Sequence, residues 1–67
     1  MITIELNGEP FEAPAGLNIS ALLAQLGLAD KRVAVEYNLE ILPKSEHAQT
    51  QLQAADRIEI VHAIGGG

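Results

Sequence analysis

The chain has no cysteine and no tryptophan, a single Phe and a single Tyr, and only four basic residues among 67. Without cysteine there is no disulfide staple of the kind small secreted domains rely on, no thiolate metal site and no thiol nucleophile, which points to a cytoplasmic protein. The cations Lys31, Arg32, Lys44 and Arg57 are scattered along the sequence. Sheathing a nucleic-acid backbone takes clustered Lys and Arg to displace counterions, so no nucleic-acid partner is expected. Residues 1–17 carry no basic n-region and no apolar run long enough for a signal peptide. Nothing approaches about 18 consecutive apolar residues, so no membrane association is expected either. Gly8, Gly16 and Gly27 match neither a phosphate loop nor a dinucleotide fingerprint.

What is present is a short acidic chain, with nine Asp plus Glu, a net charge of -5 and 48% hydrophobic residues. This length bounds it to one compact domain with no room for an enzyme cleft and its cover. A surface that binds it should be basic where the two meet.

Ile2, Ile4 and Leu6 alternate with Thr3 and Glu5, the period of a strand with one apolar face. Asn7-Gly8 is a two-residue hairpin signal, and Glu9 to Ala13 runs back as a second strand. Pro10 marks that strand as an edge, with Phe11 able to point inward. After the break at Pro14-Ala15-Gly16, Ile19, Leu22, Leu23 and Leu26 fall at i, i+3, i+4 and i+7. That stripe predicts a helix from Ile19 to Leu26, with Asn18 as N-cap and Gly27 in the left-handed C-cap conformation. Val33, Val35 and Tyr37 give a third strand, and Glu40 to Leu42 a short fourth ended by Pro43. Ser45 to Leu52 has no clear period and reads as a polar loop with a helical turn, held to the core by Ala48 and Leu52. Ala54-Ala55-Asp56 turns the chain into a last strand, Arg57 to His62, with Ile58 and Ile60 facing the core.

The order β, β, α, β, β, β implies an α+β domain, a mixed four- to five-stranded sheet with one main helix across one face. A right-handed crossover through that helix lets the first strand sit beside a parallel partner. The β-grasp, or ubiquitin-like, arrangement fits best. The expected division is a β-grasp domain over residues 1–62 and a flexible tail over 63–67.

Few side chains suggest chemistry. His47 and His62 lie fifteen positions apart with no cysteine near, which is no zinc spacing. Ordinary surface or half-buried roles are expected for both. Ser45-Glu46-His47 contains the residue types of a hydrolytic triad, but adjacent positions cannot aim them as nucleophile, base and orienter. Glu5, Glu9 and Glu12 read as a solvated acidic face. No catalytic residue and no metal ligand is assigned.

The unusual feature is Gly65-Gly66-Gly67, three glycines that add nothing to a core and maximise the entropy lost on ordering. They read either as a frayed or expression-derived end, or as a side-chain-free tail that threads a narrow channel and delivers the Gly67 carboxylate to another protein's active site. Ala63 to Gly67 spans at most about 17 Å when extended. A carboxylate becomes a useful electrophile as an acyl adenylate, after which a sulfur or nitrogen nucleophile can attack its carbonyl.

The sequence resembles the small sulfur carrier proteins of thiamin biosynthesis, the ThiS type, over essentially its whole length. The resemblance is carried by Ile4-Glu5-Leu6-Asn7-Gly8-Glu9-Pro10, by Ala21-Leu22-Leu23 with Leu26-Gly27-Leu28, and by Val33-Ala34-Val35-Glu36 with Asn38. It continues through Ile41, Pro43 and Ser45-Glu46-His47-Ala48, and is most specific in Asp56 to Gly67. It implies a β-grasp protein that is a co-substrate and not an enzyme. An E1-like adenylyltransferase of the ThiF type, using ATP and Mg, would convert Gly67 to an acyl adenylate. A sulfur-donating desulfurase system would make it a thiocarboxylate, and a thiazole synthase of the ThiG type would take the sulfur. No cofactor is expected on this chain itself. Gly65, Gly66 and Gly67 would thread the partner's active site, with Val61 and Ile64 as candidates for apolar contact beside it. Leu39 and Ala55 stand where relatives commonly have Gly, so those two turns are expected to avoid positive φ. Two other readings stay open: a related carrier for molybdopterin synthesis or tRNA thiolation, and a ubiquitin-like modifier or interaction domain.

Overall fold

The structure, a computed structural model, describes residues 1–62. Strands β1 (Ile2–Leu6), β2 (Glu9–Ala13), β3 (Val33–Tyr37), β4 (Glu40–Leu42) and β5 (Arg57–His62) form one sheet in the order β2-β1-β5-β3-β4. The helix α1 (Ile19–Gln25) lies between β2 and β3, and a 3-10 helix (Lys44–Gln49) between β4 and β5. β1 and β5 are parallel, with Glu5 opposite Arg57 and Leu6 opposite Ile58; every other pair is antiparallel. β2 is an edge strand, the place where Pro10 removes no ladder bond that a neighbour needs.

The period-two and period-3.6 patterns converge on one core. Ile4, Ile19, Leu22, Val35, Leu52 and Ile58 are each at most 2% exposed, and Ala13, Leu23 and Ile60 complete the cluster. Each large aliphatic so buried contributes about 1.5–3 kcal/mol. Ile2, Leu6, Leu26 and Val33, expected inside, pack against this cluster but are only half-buried, because they sit at its rim. Asn18 caps α1 as expected, its side chain accepting from the Ala21 amide at 2.7 Å. The helix ends at Gln25, one residue short of the expected Leu26, which serves as the C-cap and passes the chain to Gly27 at φ +75°.

Two expectations fail. Ala48 does not anchor the connector: it is exposed, and His47 is turned inward in its place, 5% exposed with Nε2 3.2 Å from the Leu42 carbonyl oxygen. The 3-10 helix turns His47 inward, and Leu52, three residues beyond its end, supplies the apolar anchor. The turns at Leu39 and Ala55 do not avoid positive φ either, standing at +73° and +71°. β3 and β4 are joined by two residues only, and the connection is of the type I′ kind common in such hairpins, with positive φ at both, Asn38 at +52° and Leu39. In the second turn the Asp56 amide donates to the Gln53 carbonyl, which makes Ala55 the third residue of a β-turn, a position where positive φ defines the type II form. Topology imposes the conformation and the side chains bear the strain.

Candidate functional site

The strand that leads into the glycine tail is the middle one of the sheet, paired to β1 on one side and β3 on the other. Two asparagines in turns extend its bonding. Asn7, at φ +50°, accepts the Ile60 amide on Oδ1 at 2.8 Å, and Asn38 Oδ1 accepts the Arg57 amide at 2.8 Å. Asp56, 8% exposed, fixes the start of β5. Its carboxylate accepts from Tyr37 Oη at 2.7 Å, from the Gln53 amide at 2.8 Å and from Asn38 Nδ2 at 3.3 Å. Burial, with the hydrogen bond to and negative charge of Asp56 adding to it, pushes the Tyr37 hydroxyl up to about 12. β5 is therefore held on both sides, by β1 with Asn7 and by β3 with Asn38.

Alternation along β5 puts Ile58 and Ile60 into the core and Glu59 and Val61 on the outer face of the sheet. Val61 is 59% exposed and stands opposite Ala34; Ile41, on the edge strand β4, is 67% exposed. Between these aliphatics Glu36 stands directly opposite Glu59. Two carboxylates facing across a ladder repel, so this face favours a partner that brings positive charge together with apolar contact. Glu5 is different, because Arg57 Nε binds its Oε2 at 3.0 Å.

Of the sequence-expected site residues, Val61 is placed where a partner could touch it. Ile64, Gly65, Gly66 and Gly67, and the division at residues 62 and 63, lie outside the described residues. Ser45 and Glu46 are exposed while His47 is buried, so these three do not converge. Among the described residues no three His, Cys, Asp or Glu side chains gather in a metal-holding group. No helix among them is long and apolar enough to cross a membrane. Sequence reasoning missed the Asp56 network and a cavity beside the 3-10 helix, lined by Lys31, Arg32, Lys44 and His47 among others.

Comparison with known proteins bears on what this surface and tail do. A family model described as the ThiS family matches residues 4–67, so the match runs through the glycines. The chain is 40% identical over 65 residues to a sulfur carrier protein ThiS of Bacillus subtilis, covering 96% of this chain and 98% of that one. A crystal structure of a thiamine biosynthesis protein (ThiS) from Geobacter metallireducens superposes with a TM-score of 0.86 at 30% identity, over 98% of this chain and 100% of that one. A thiazole synthase of Paramagnetospirillum magneticum is 48% identical over 62 residues, 92% of this chain. The chain spans about a fifth of the length of the thiazole synthases it matches, 19% in that case and 20% in another.

Proposed function

The chain belongs to the ThiS family, and from that membership we propose that it carries sulfur for the thiazole ring of thiamin on the carboxylate of Gly67. The observation that carries this reading is the family match continuing through Gly67, on a chain that has no cysteine to hold sulfur elsewhere. In this reading the chain is a protein co-substrate. The Gly67 carboxylate attacks ATP at its α-phosphorus in the active site of an E1-like adenylyltransferase that holds Mg, releasing pyrophosphate and forming an acyl adenylate. A hydrosulfide equivalent from a desulfurase system then attacks the carbonyl, AMP leaves, and a thiocarboxylate remains. The thiocarboxylate passes its sulfur to a thiazole synthase.

In this reading each of the chain's site residues has a role. The β5 strand fixes where the tail starts, and Gly65, Gly66 and Gly67 supply backbone without side chains for a narrow channel. Val61 and Ile64 make apolar contacts at the channel mouth, and the uncompensated Glu36 and Glu59 steer the docking of a basic surface. The matches to thiazole synthases support that enzyme as the sulfur acceptor, since those proteins carry a stretch like this chain. Pyrophosphate release from ATP in the presence of the cognate adenylyltransferase tests the reading. Release with the full chain and none after deletion of Gly66 and Gly67 is expected; equal release from both would refute it.

A further inference from the structure

A cavity of about 540 Å³ opens between the segment after α1, the start of β3 and the 3-10 helix. Its walls include three of the four Lys and Arg residues of the chain, Lys31, Arg32 and Lys44. This concentration is notable in a protein of net charge -5. Arg57, the fourth cation, is engaged elsewhere with Glu5. Arg32 has an interaction of its own, whereas neither the Lys31 nor the Lys44 ammonium is ion-paired among the described residues. The one acidic residue on the lining is Asp30. Two wall residues belong to the packed interior: Leu23 is 7% exposed, and His47 is 5% exposed, with its Nε2 on the Leu42 carbonyl oxygen.

Cations that line one concavity set up a positive potential in it, which favours an anion seated among them. The size selects the kind of anion. Pockets of about 300–1,000 Å³ accommodate small organic molecules, more than a bare inorganic ion requires. The aliphatic Leu23, Leu28 and Val33 beside the cations suit a ligand with a charged head and an uncharged body. Lysine ammonium groups approaching from two separate segments suit the several oxygens of a phosphate better than the two of a carboxylate. We infer that this cavity binds a small phosphate ester, with Lys31 and Lys44 holding the phosphate and the Leu23–His47 wall receiving the organic part. Val33, on the cavity wall, is opposite His62 in the β3–β5 ladder, so one wall of the cavity is the strand beside the end of β5. The site is separate from the outer sheet face and does not depend on the tail chemistry proposed above.

The test is a titration of the full isotopically labelled chain with glycerol 3-phosphate, followed by amide and lysine-ammonium NMR shifts, with glycerol, inorganic phosphate and tetraglutamate as parallel probes. The expected result is saturable shifts confined to residues 28–33 and 44–47, tighter for the ester than for inorganic phosphate and absent with glycerol. The exposed positions Lys31→Gln and Lys44→Gln together should weaken the ester at least tenfold while the remaining spectrum stays native. Shifts that never saturate, that centre elsewhere, or that survive the double substitution would overturn the site. Saturation by tetraglutamate with none by the ester would overturn the phosphate assignment in favour of an acidic peptide.

Discussion

The Tyr37 hydroxyl donates to Asp56 Oδ2 at 2.7 Å, joining the end of β3 to the turn that launches β5. Because the same carboxylate also accepts the Gln53 amide and Asn38 Nδ2, one buried side chain holds the turn that sets the direction of the tail-bearing strand. Asp56→Ala should cost about 2–3 kcal/mol, since three donors lose a charged acceptor and the buried ones are left unmet. Urea unfolding measures this, and an unchanged midpoint would show that the network holds nothing.

Tyr37 gives the same contact a pH signature. Its folded value of about 12 lies above the ordinary 10, so the bonded form is the protonated one. The stability it contributes is fully present below about pH 10 and is lost as pH rises from there toward 12. The stability difference between the parent chain and Tyr37→Phe should therefore be constant at neutral pH and shrink across that window. A difference that grew with pH would have the wrong sign.

Leu39 and Ala55 carry backbone conformations that glycine adopts without cost, at φ +73° and +71°. Leu39→Gly and Ala55→Gly should each stabilise the fold by about 0.5–1 kcal/mol, the relief of left-handed strain exceeding the added freedom of the unfolded chain. Thermal or urea unfolding decides it; destabilisation by either glycine would mean that side-chain contacts outweigh the strain.

Leu23 and His47 test the interior. Leu23→Ala should cost about 2–5 kcal/mol, a large share of what a core this small supplies. His47→Ala should also destabilise, by about 1–3 kcal/mol, because the Leu42 carbonyl loses its partner and a buried side chain is removed. Pyrophosphate release at a temperature where the variant remains folded should match the parent, which separates a structural histidine from a catalytic one.

Val61 tests the docking face. Val61→Asp replaces an exposed aliphatic and adds charge to a face already bearing Glu36 and Glu59, so the fold should shift by less than about 0.5 kcal/mol. Association with the adenylyltransferase should weaken about tenfold, the equivalent of about 1.4 kcal/mol. The association rate of the parent should fall as salt rises and electrostatic reach shortens to about 8 Å. A rate indifferent to salt would remove the charge argument and leave the apolar one standing.

The sequence pattern specified the elements well because their periods are local: Ile2-Ile4-Leu6, the Ile19 to Leu26 stripe and Arg57 to His62 each declare themselves within a few residues. Asn7-Gly8 and Asn18 announced a hairpin and a cap by chemistry that acts within one turn. Long-range polar contacts left no such trace. Asp56 meets Tyr37 and Asn38 across 19 and 18 positions, and no periodicity encodes that pairing. Leu39 misled because residue preference favours glycine at positive φ, whereas the two-residue connection between β3 and β4 takes positive φ at both of its residues. His47 was misplaced because a six-residue 3-10 helix is too short to show a stripe. The cationic cavity unites Lys31 and Arg32 with Lys44, which only the packing of the 3-10 helix beside α1 brings to one wall.

The central claim is that the Gly67 carboxylate is the atom group that carries sulfur. Intact mass spectrometry of the protein isolated from its own cells, with fragmentation to place any change, addresses it most directly. The account predicts a species heavier by the exchange of one oxygen for sulfur, with the change confined to the fragment that ends at Gly67. A chain that never shows this species while thiazole is being made, or that carries the change on any other residue, would contradict it.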